Sequence, residues 1–268
     1  MKILLVNNRF KENTEIMAQE VAKKLLSQGC RVEVDNGEAL PQLEDVDIIM
    51  VLGGDGTILR AARQYARFKV PLLGVNMGTV GFLSHIKVEE IETCLEKFVR
   101  GDYTVDERMM LKALVYRDGT LYKELGALNE VVVRTKVPRL LSLPLYIERE
   151  KIADYKGDGV IIATPTGTTA YSLSAGGPVL EPEMEALVIT PVSSYVLARR
   201  PLVVRGDRVL ALKNTGNGEE ILCADGQINV DLLPGDEIIV QKADYKLRLL
   251  NIKKPSFFHH FDERLGRV

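Results

Sequence analysis

The sequence is short of the residues that announce a metal or disulfide scaffold. Its three cysteines, Cys30, Cys94 and Cys223, lie far apart and form no C-x-x-C pair. That excludes zinc-ribbon and thioredoxin-like spacings, and they read as reduced fillers of apolar space. The adjacent pair His259-His260 has no second cluster to complete a metal shell, so surface or packing roles are expected there. No run reaches the ~18 apolar residues that span a bilayer, and the opening MKILLVNNRF turns polar too early for a secretory signal. A cytoplasmic protein with no membrane partner is expected. An excess of one charge is lacking too. Lys and Arg number 35 against 37 Asp and Glu, a net charge of −2, which leaves no basic field for a phosphate backbone. Nucleic acid is not expected as a partner.

What is present is a folding mixture. The 268 residues are 46% hydrophobic and 27% charged, which suits one large or two small domains with true cores and excludes a disordered or rod-like chain. The N-terminal part alternates strand and helix patterns. KILLVNN (Lys2 to Asn8), RVEVD, VDIIMVL (Val46 to Leu52) and VPLLGV (Val70 to Val75) read as strands, the last two buried on both faces. Thr14 to Gln28, with Ile16, Val21, Leu25 and Leu26 at helical spacing, and Ile58 to Phe68 read as helices. After Tyr103 the apolar runs become short and are punctuated by Gly, Pro and Asn, with a hairpin turn at Arg117-Asp118-Gly119-Thr120 and a further hairpin expected around TGNGEE near Gly216. The expected fold is α/β plus β-rich: an N-terminal doubly wound α/β domain over 1–103, a C-terminal β-rich domain over 104–245, and a tail over 246–268 that packs back on the N-terminal domain.

Three segments carry chemistry. Gly53-Gly54-Asp55-Gly56-Thr57 stands between a buried strand and a helix expected from Ile58. Glycines let the backbone approach a ligand, and free N–H groups at a helix start favour phosphate. It is neither a Walker A loop nor a dinucleotide fingerprint, for want of Gly-Lys-Ser/Thr and of a third glycine at Leu59. A carboxylate in a phosphate loop is odd on electrostatic grounds, so Asp55 reads either as a base or metal contact or as an ordinary turn or helix-cap residue. Asn76-Met77-Gly78-Thr79-Val80-Gly81-Phe82-Leu83 again follows a buried strand, where ligands collect in open α/β sheets. From Thr164 to Ser174, within DGVIIATPTGTTAYSLSAGGP, seven of eleven residues carry a hydroxyl and none is charged. That composition suits hydrogen bonding to a sugar or phosphate.

Together these segments, with Asn129-Glu130, TPVSSYVLARRP (Thr190 to Pro201) and Asp225-Gly226-Gln227, resemble the NAD kinase family in order and spacing over most of the chain. GGDGT alone is shared with lipid kinases and phosphofructokinases, whereas the TPTGTTAYSLSAGGP block is far more specific. The resemblance implies transfer of the γ-phosphoryl group of ATP to the 2'-hydroxyl of the adenosine ribose of NAD, giving NADP, with a divalent ion such as Mg²⁺ carried by ATP and no metal ligands on the protein. It implies that Asp55 accepts the hydroxyl proton, Gly56 lies against the nucleotide, Arg60 faces phosphate and Phe82 lines the adenine pocket. Asn129 and Glu130 would hold ribose hydroxyls, while Thr169, Ala170, Tyr171, Ser172, Leu173 and Ser174 would cradle the adenosine portion. Lys156 and Asp158 would approach the nicotinamide half from a neighbouring subunit of a homodimer or homotetramer, and Arg139, Ser193 and Gln227 would add further contacts. A basic residue at the position of Lys156 goes in this family with preference for NAD over NADH. Two departures from the family pattern stand out: Thr168 in place of serine, and Ser194-Tyr195 in place of Pro-His. The competing readings are a lipid or sugar kinase, which lacks its G-T-G-N-D signature here, and a non-catalytic dinucleotide sensor, which would be expected to have lost Asp55.

Overall fold

The structure, a computed structural model, describes residues 1–7, 12–35, 43–78, 81–84, 86–137 and 139–252. The expectations for Asn8, for Thr79 and Val80, for the His259-His260 pair and for the tail beyond Ile252 lie outside the described residues. The chain divides into two compact units, one of residues 1–107 with the segment from Lys246 onward, the other of residues 108–245.

In the first unit the order is β1 (Lys2–Asn7), α1 (Glu12–Ser27), β2 (Arg31–Val34), β3 (Ile48–Leu52), α2 (Asp55–Tyr65), β4 (Leu72–Asn76), β5 (Ile86–Lys87) and α3 (Ile91–Arg100). The strands run parallel in the order β2-β1-β3-β4, with β5 beside β4. Every residue of β3 and β4 is buried, as expected of strands covered on both faces. On α1 the buried face is Ala18, Val21 and Leu25, whereas Ile16 and Leu26, expected to join it, are exposed. The helix α3 escaped the sequence reading because only Ile91, Cys94 and Leu95 of its ten residues are buried. It ends at Gly101, whose φ of 74° suits a left-handed helix stop.

The second unit contains most of β6 (Thr104–Arg117), then β7 (Thr120–Ala127), β8 (Glu130–Thr135), β9 (Leu141–Ile147), β10 (Glu150–Gly157), β11 (Gly159–Ala163), the short α4 (Tyr171–Ser174), β12 (Ala186–Val192), β13 (Leu202–Arg205), β14 (Leu210–Lys213), β15 (Glu220–Ala224), β16 (Ile228–Leu232) and the first part of β17 (Glu237–Asn251). An antiparallel sheet of order β13-β12-β11-β8-β15-β16 faces the strands β10-β9-β14-β17, and residues of both, such as Val133, Ile162 and Leu222 against Leu145, Leu212 and Val240, share one apolar cluster. The β6–β7 turn has φ of 50° at Asp118 and 75° at Gly119, the primed hairpin turn expected from Asp-Gly. The TGNGEE hairpin is a misreading. β14 pairs with β9 and β17, while β15 pairs with β8 and β16, so the loop between them crosses from one sheet to the other. Strands β10 and β16 were missed because their apolar residues are interrupted by polar or charged ones, as in EKIADYKG, and β15 because its apolar run, ILCA, is only four residues long between charges. The last part of β17 returns to the first unit and lies parallel to β4, Leu249 opposite Leu72.

Candidate functional site

In the first unit the strand order reverses between β1 and β3, and GGDGT follows β3 at that switch point, where open α/β sheets bind ligands. Gly53 has φ of 156°, and a Cβ there would meet the Thr57 side chain, its Cβ 2.8 Å away. The residue must therefore be glycine. The helix α2 starts at Asp55, three residues earlier than expected, with Gly54 as its N-cap and no side-chain cap. The cap reading of Asp55 therefore fails. Its carboxylate instead reaches across to the 81–83 segment, where Oδ2 accepts the Phe82 N–H at 2.7 Å and Oδ1 the Leu83 N–H at 3.1 Å. A Cβ on Gly81 would fall on this carboxylate, 2.6 Å from Oδ2 and closer still to its other atoms. Each carboxylate oxygen keeps a second lone pair for another partner.

Around it, Gly56 is exposed on the first turn of α2 and Phe82 is half-buried. Arg60 sits one turn further along α2. Its guanidinium donates to the Asn7 carbonyl at the end of β1 at 2.7 Å and pairs with the buried Asp35, just after β2, at 3.4 Å. The arginine expected to face phosphate thus bridges the carboxyl ends of two strands. Asn76, which closes β4, accepts the Gly78 N–H through Oδ1 at 2.6 Å, while its buried Nδ2 has no partner among the described residues.

In the second unit, two loops and a hairpin turn meet at one end of β8, β11 and β15. The Asp225 side chain, 5% exposed, accepts backbone N–H groups of Leu128 (3.1 Å), Asn129 (2.8 Å) and Glu130 (3.3 Å). Its own N–H donates to the Glu130 carbonyl. Thr164 Oγ1 donates to the Leu128 carbonyl at 2.6 Å and accepts the Gly167 N–H at 3.1 Å, and Gly167 lies so close to Asn129 that a Cβ would be 2.6 Å from the Asn129 Cα. Glu130 is 5% exposed, with Oε2 lacking a partner among the described residues. Burial, then the nearby Asp225 charge, push its carboxyl up to about 8, against a smaller opposing effect of the Tyr171 N–H. The protonated form of Glu130 is thereby favoured, and in that form it is a buried O–H donor.

The hydroxyl-rich segment divides by direction. Thr164, Thr168 and Ser172 turn inward: Thr168 Oγ1 donates to the Pro165 carbonyl at 2.6 Å, and Ser172 Oγ meets Thr190 Oγ1 at 2.9 Å with no exposure. Ser172 is part of the wall rather than of the lining. Tyr171 and Ser174 are exposed, and Thr169, Ala170 and Leu173 are half-buried on the same short helical stretch. The structure therefore brings Asn129, Glu130 and residues 169–174 together, and adds Asp225, Thr164 and Gly167, which the sequence reading had not assigned roles. Thr164 and Gly167 lie in the hydroxyl-rich block and Asp225 in the Asp225-Gly226-Gln227 segment that the resemblance used.

Other expected site residues lie elsewhere in this unit. Lys156 and Asp158 are exposed at the end of β10 and before β11, and the Lys156 carbonyl accepts the Tyr195 N–H at 2.9 Å. Ser193, in the adjoining loop, is exposed with φ of 47°. Gln227 is exposed in the β15–β16 turn next to Asp225. Arg139 lies beyond the opposite end of β8, on the order of 17 Å or more from Glu130 by strand rise. It lines a separate cavity of about 270 Å³ with Thr135, Ser142, Thr215 and Asn217. Within this subunit it does not join Asn129 and Glu130.

Comparison with known proteins fits this arrangement. Residues 38–103 match the family described as the ATP-NAD kinase N-terminal domain, and residues 128–252 match the ATP-NAD kinase C-terminal domain. An NAD kinase of Carboxydothermus hydrogenoformans is 40% identical over 243 residues, covering 90% of this chain and 86% of that protein. One from Lachnoclostridium phytofermentans is 34% identical over 99% of both chains. Among solved structures, the yeast NADH kinase complexed with NADH superposes with a TM-score of 0.88 at 25% identity, covering 100% of this chain and 88% of that one. An NAD kinase from Archaeoglobus fulgidus in complex with ATP gives 0.81 at 28% identity, with both chains fully covered.

Proposed function

Because this chain belongs to the NAD kinase family and is an ATP-dependent NAD kinase, we propose that it carries the γ-phosphoryl group of ATP to the 2'-hydroxyl of the adenosine ribose of NAD with Asp55 as proton acceptor. The observation that supports this role is the carboxylate fixed by two backbone N–H groups at the head of α2, at the sheet's switch point. Phosphoryl transfer is mostly positioning and charge neutralisation, and a carboxylate held in one orientation, with lone pairs to spare, is suited to take the proton as the new bond forms. Gly56, exposed on the first turn of α2, lies against the nucleotide in this reading. Arg60 would contact phosphate only through N–H groups not used by Asn7 and Asp35.

Asn129 and Glu130 hold ribose hydroxyls in this reading, Phe82 lines the adenine pocket, and Thr169 to Ser174, apart from the inward-facing Ser172, line the adenosine site. Among the described residues no group of three or more Asp, Glu, His or Cys could hold a metal. The divalent ion, Mg²⁺ by preference, is proposed to enter with the nucleotide substrate, on its phosphate oxygens. No helix among the described residues is long and apolar enough to cross a membrane, and a cytoplasmic location is part of the proposal. NADP formation from NAD and ATP with magnesium tests the assignment; failure with a folded protein would overturn it.

A homodimer or homotetramer is the proposed active form. Beside Lys156 the loop exposes Tyr195 (73%) and Leu197 (87%) together with Val196, an apolar group that a second copy would cover. Leu197→Asp is expected to shift light scattering toward monomer and to lower activity, because Lys156 and Asp158 would then lack a neighbour's site. A fully active wild-type monomer would defeat the assembly.

Lys156 is also proposed to set the choice of dinucleotide. Oxidised nicotinamide carries a positive ring and the reduced form does not, so the lysine's charge by itself disfavours NAD, and the expected preference for NAD rests on the family resemblance and on the shape of the long side chain. Lys156→Gly is expected to raise the use of NADH relative to NAD. An unchanged ratio of kcat/KM would remove Lys156 from the choice.

A further inference from the structure

We propose that Asp225 is a positioning residue that fixes the 128–130 turn, so that Glu130, held beside it, serves as a hydrogen-bond donor to a ribose hydroxyl. The proposal rests on the assignment of Glu130 to the dinucleotide, and its failure can be told apart from failure of that assignment. The geometry is local to the second unit. Asp225 is buried, holds a left-handed φ of 49° that aspartate before glycine readily adopts in a turn, and gathers three consecutive N–H groups on one carboxylate. A turn in which Asn129 and Glu130 present their side chains is thereby tied to the β15–β16 hairpin.

The same carboxylate acts on Glu130 through charge. Two buried carboxylates in one neighbourhood do not readily both ionise, and the three N–H donors stabilise the negative charge on Asp225. The proton is left to Glu130. The groups that face Glu130 from the packed elements agree with this: from β15 and its turn Cys223 and Asp225, and from α4 Tyr171, which contributes its backbone N–H. Arg134, on the same strand as Glu130, is exposed and acts on Cys223. Burial raises the Cys223 thiol, so it adds no competing charge near neutrality. The Glu130 oxygen without a protein partner is then the O–H that a ribose oxygen accepts from.

The sign follows from the protonated form being the binding form. Affinity for NAD is level below the Glu130 titration and weakens above it, by about tenfold from pH 7 to pH 9 for a group titrating at about 8. Calorimetric titration of NAD against the full chain from pH 6 to 9 reads this directly. Glu130→Gln, whose amide donates at every pH, should lose the alkaline weakening. Asp225→Asn should bind more weakly and begin to weaken at lower pH, since burial still raises the Glu130 carboxyl but the added effect of the Asp225 charge is gone. If Asp225→Asn fails to fold, Asp225→Ser, which removes the charge and keeps an acceptor, takes its place.

An Asp225 variant that weakens binding equally at every pH would reduce Asp225 to a structural brace and overturn the proposal. Alkaline weakening that persists in Glu130→Gln would also overturn it. So would loss of binding at every pH in folded Glu130→Gln, because Glu130 would then act as a carboxylate. NADP formation by wild type reports separately on the kinase assignment.

Discussion

Asp55→Asn is expected to cut kcat for NADP formation by roughly 10²- to 10⁴-fold, the range for a lost general base, while NAD affinity by calorimetry changes little. The amide keeps the shape of the side chain and cannot accept a proton. It can also satisfy only one of the two N–H groups that Asp55 now holds, since its NH₂ would face the other. A modest loss of stability, about 1–3 kcal/mol, is therefore expected with the fall in turnover. Thermal unfolding measured beside kcat separates the two effects. A variant that melts lower and keeps its kcat would make Asp55 a tether for the 81–83 segment and nothing more. Loss of NAD binding by a folded variant would make it a ligand contact instead.

The second large effect is expected at Gly167. Its hydrogen sits against the backbone of Asn129, and an added Cβ would overlap the Asn129 carbonyl group and lie 2.6 Å from its Cα. Neither side can yield cheaply. The Asn129 backbone is held by Asp225 and by the Thr164 N–H, and the Gly167 N–H is bound to Thr164 Oγ1. Gly167→Ala should cost about 3 kcal/mol of stability, at the upper end for overpacking, and should weaken NAD binding by roughly a hundredfold as Asn129 and Glu130 are pushed out of place, an effect near 2.7 kcal/mol. Denaturant unfolding and calorimetry on the same preparation check both. Unchanged stability and affinity would mean that the two segments separate easily.

The sequence reading reached the parts of the site that are contiguous in the chain. GGDGT was legible because glycine clusters between a buried strand and a helix have few other uses. The long hydroxyl-rich block was legible by composition. Direction was not: composition could not show that Thr164, Thr168 and Ser172 face inward while Tyr171 and Ser174 face out, because the tight winding of 166–174 decides that. Partnerships across the chain were hidden as well. Asp225 serves a turn more than ninety residues away, and Arg60 is engaged by Asp35 and Asn7, which belong to other strands. In the fold, strands with continuous apolar runs were found. Those whose buried residues alternate with charge, such as β10 and the long β17, were missed or seen only in part, since one buried face supplies half the signal of two.

The second unit is one unbroken stretch of chain, whereas the first is assembled from two stretches, one on either side of it. During synthesis, all of residues 108–245 have been made before the strand that flanks β4 exists. Domains fold as units while the chain emerges, so the part bearing Asn129, Glu130 and Asp225 can complete itself while the sheet behind Asp55 still lacks its outer neighbour. A nascent chain stopped at Tyr245 should therefore already hold the 128–130 turn on Asp225 before the Asp55 sheet is finished, and catalytic competence should arrive last on the ribosome.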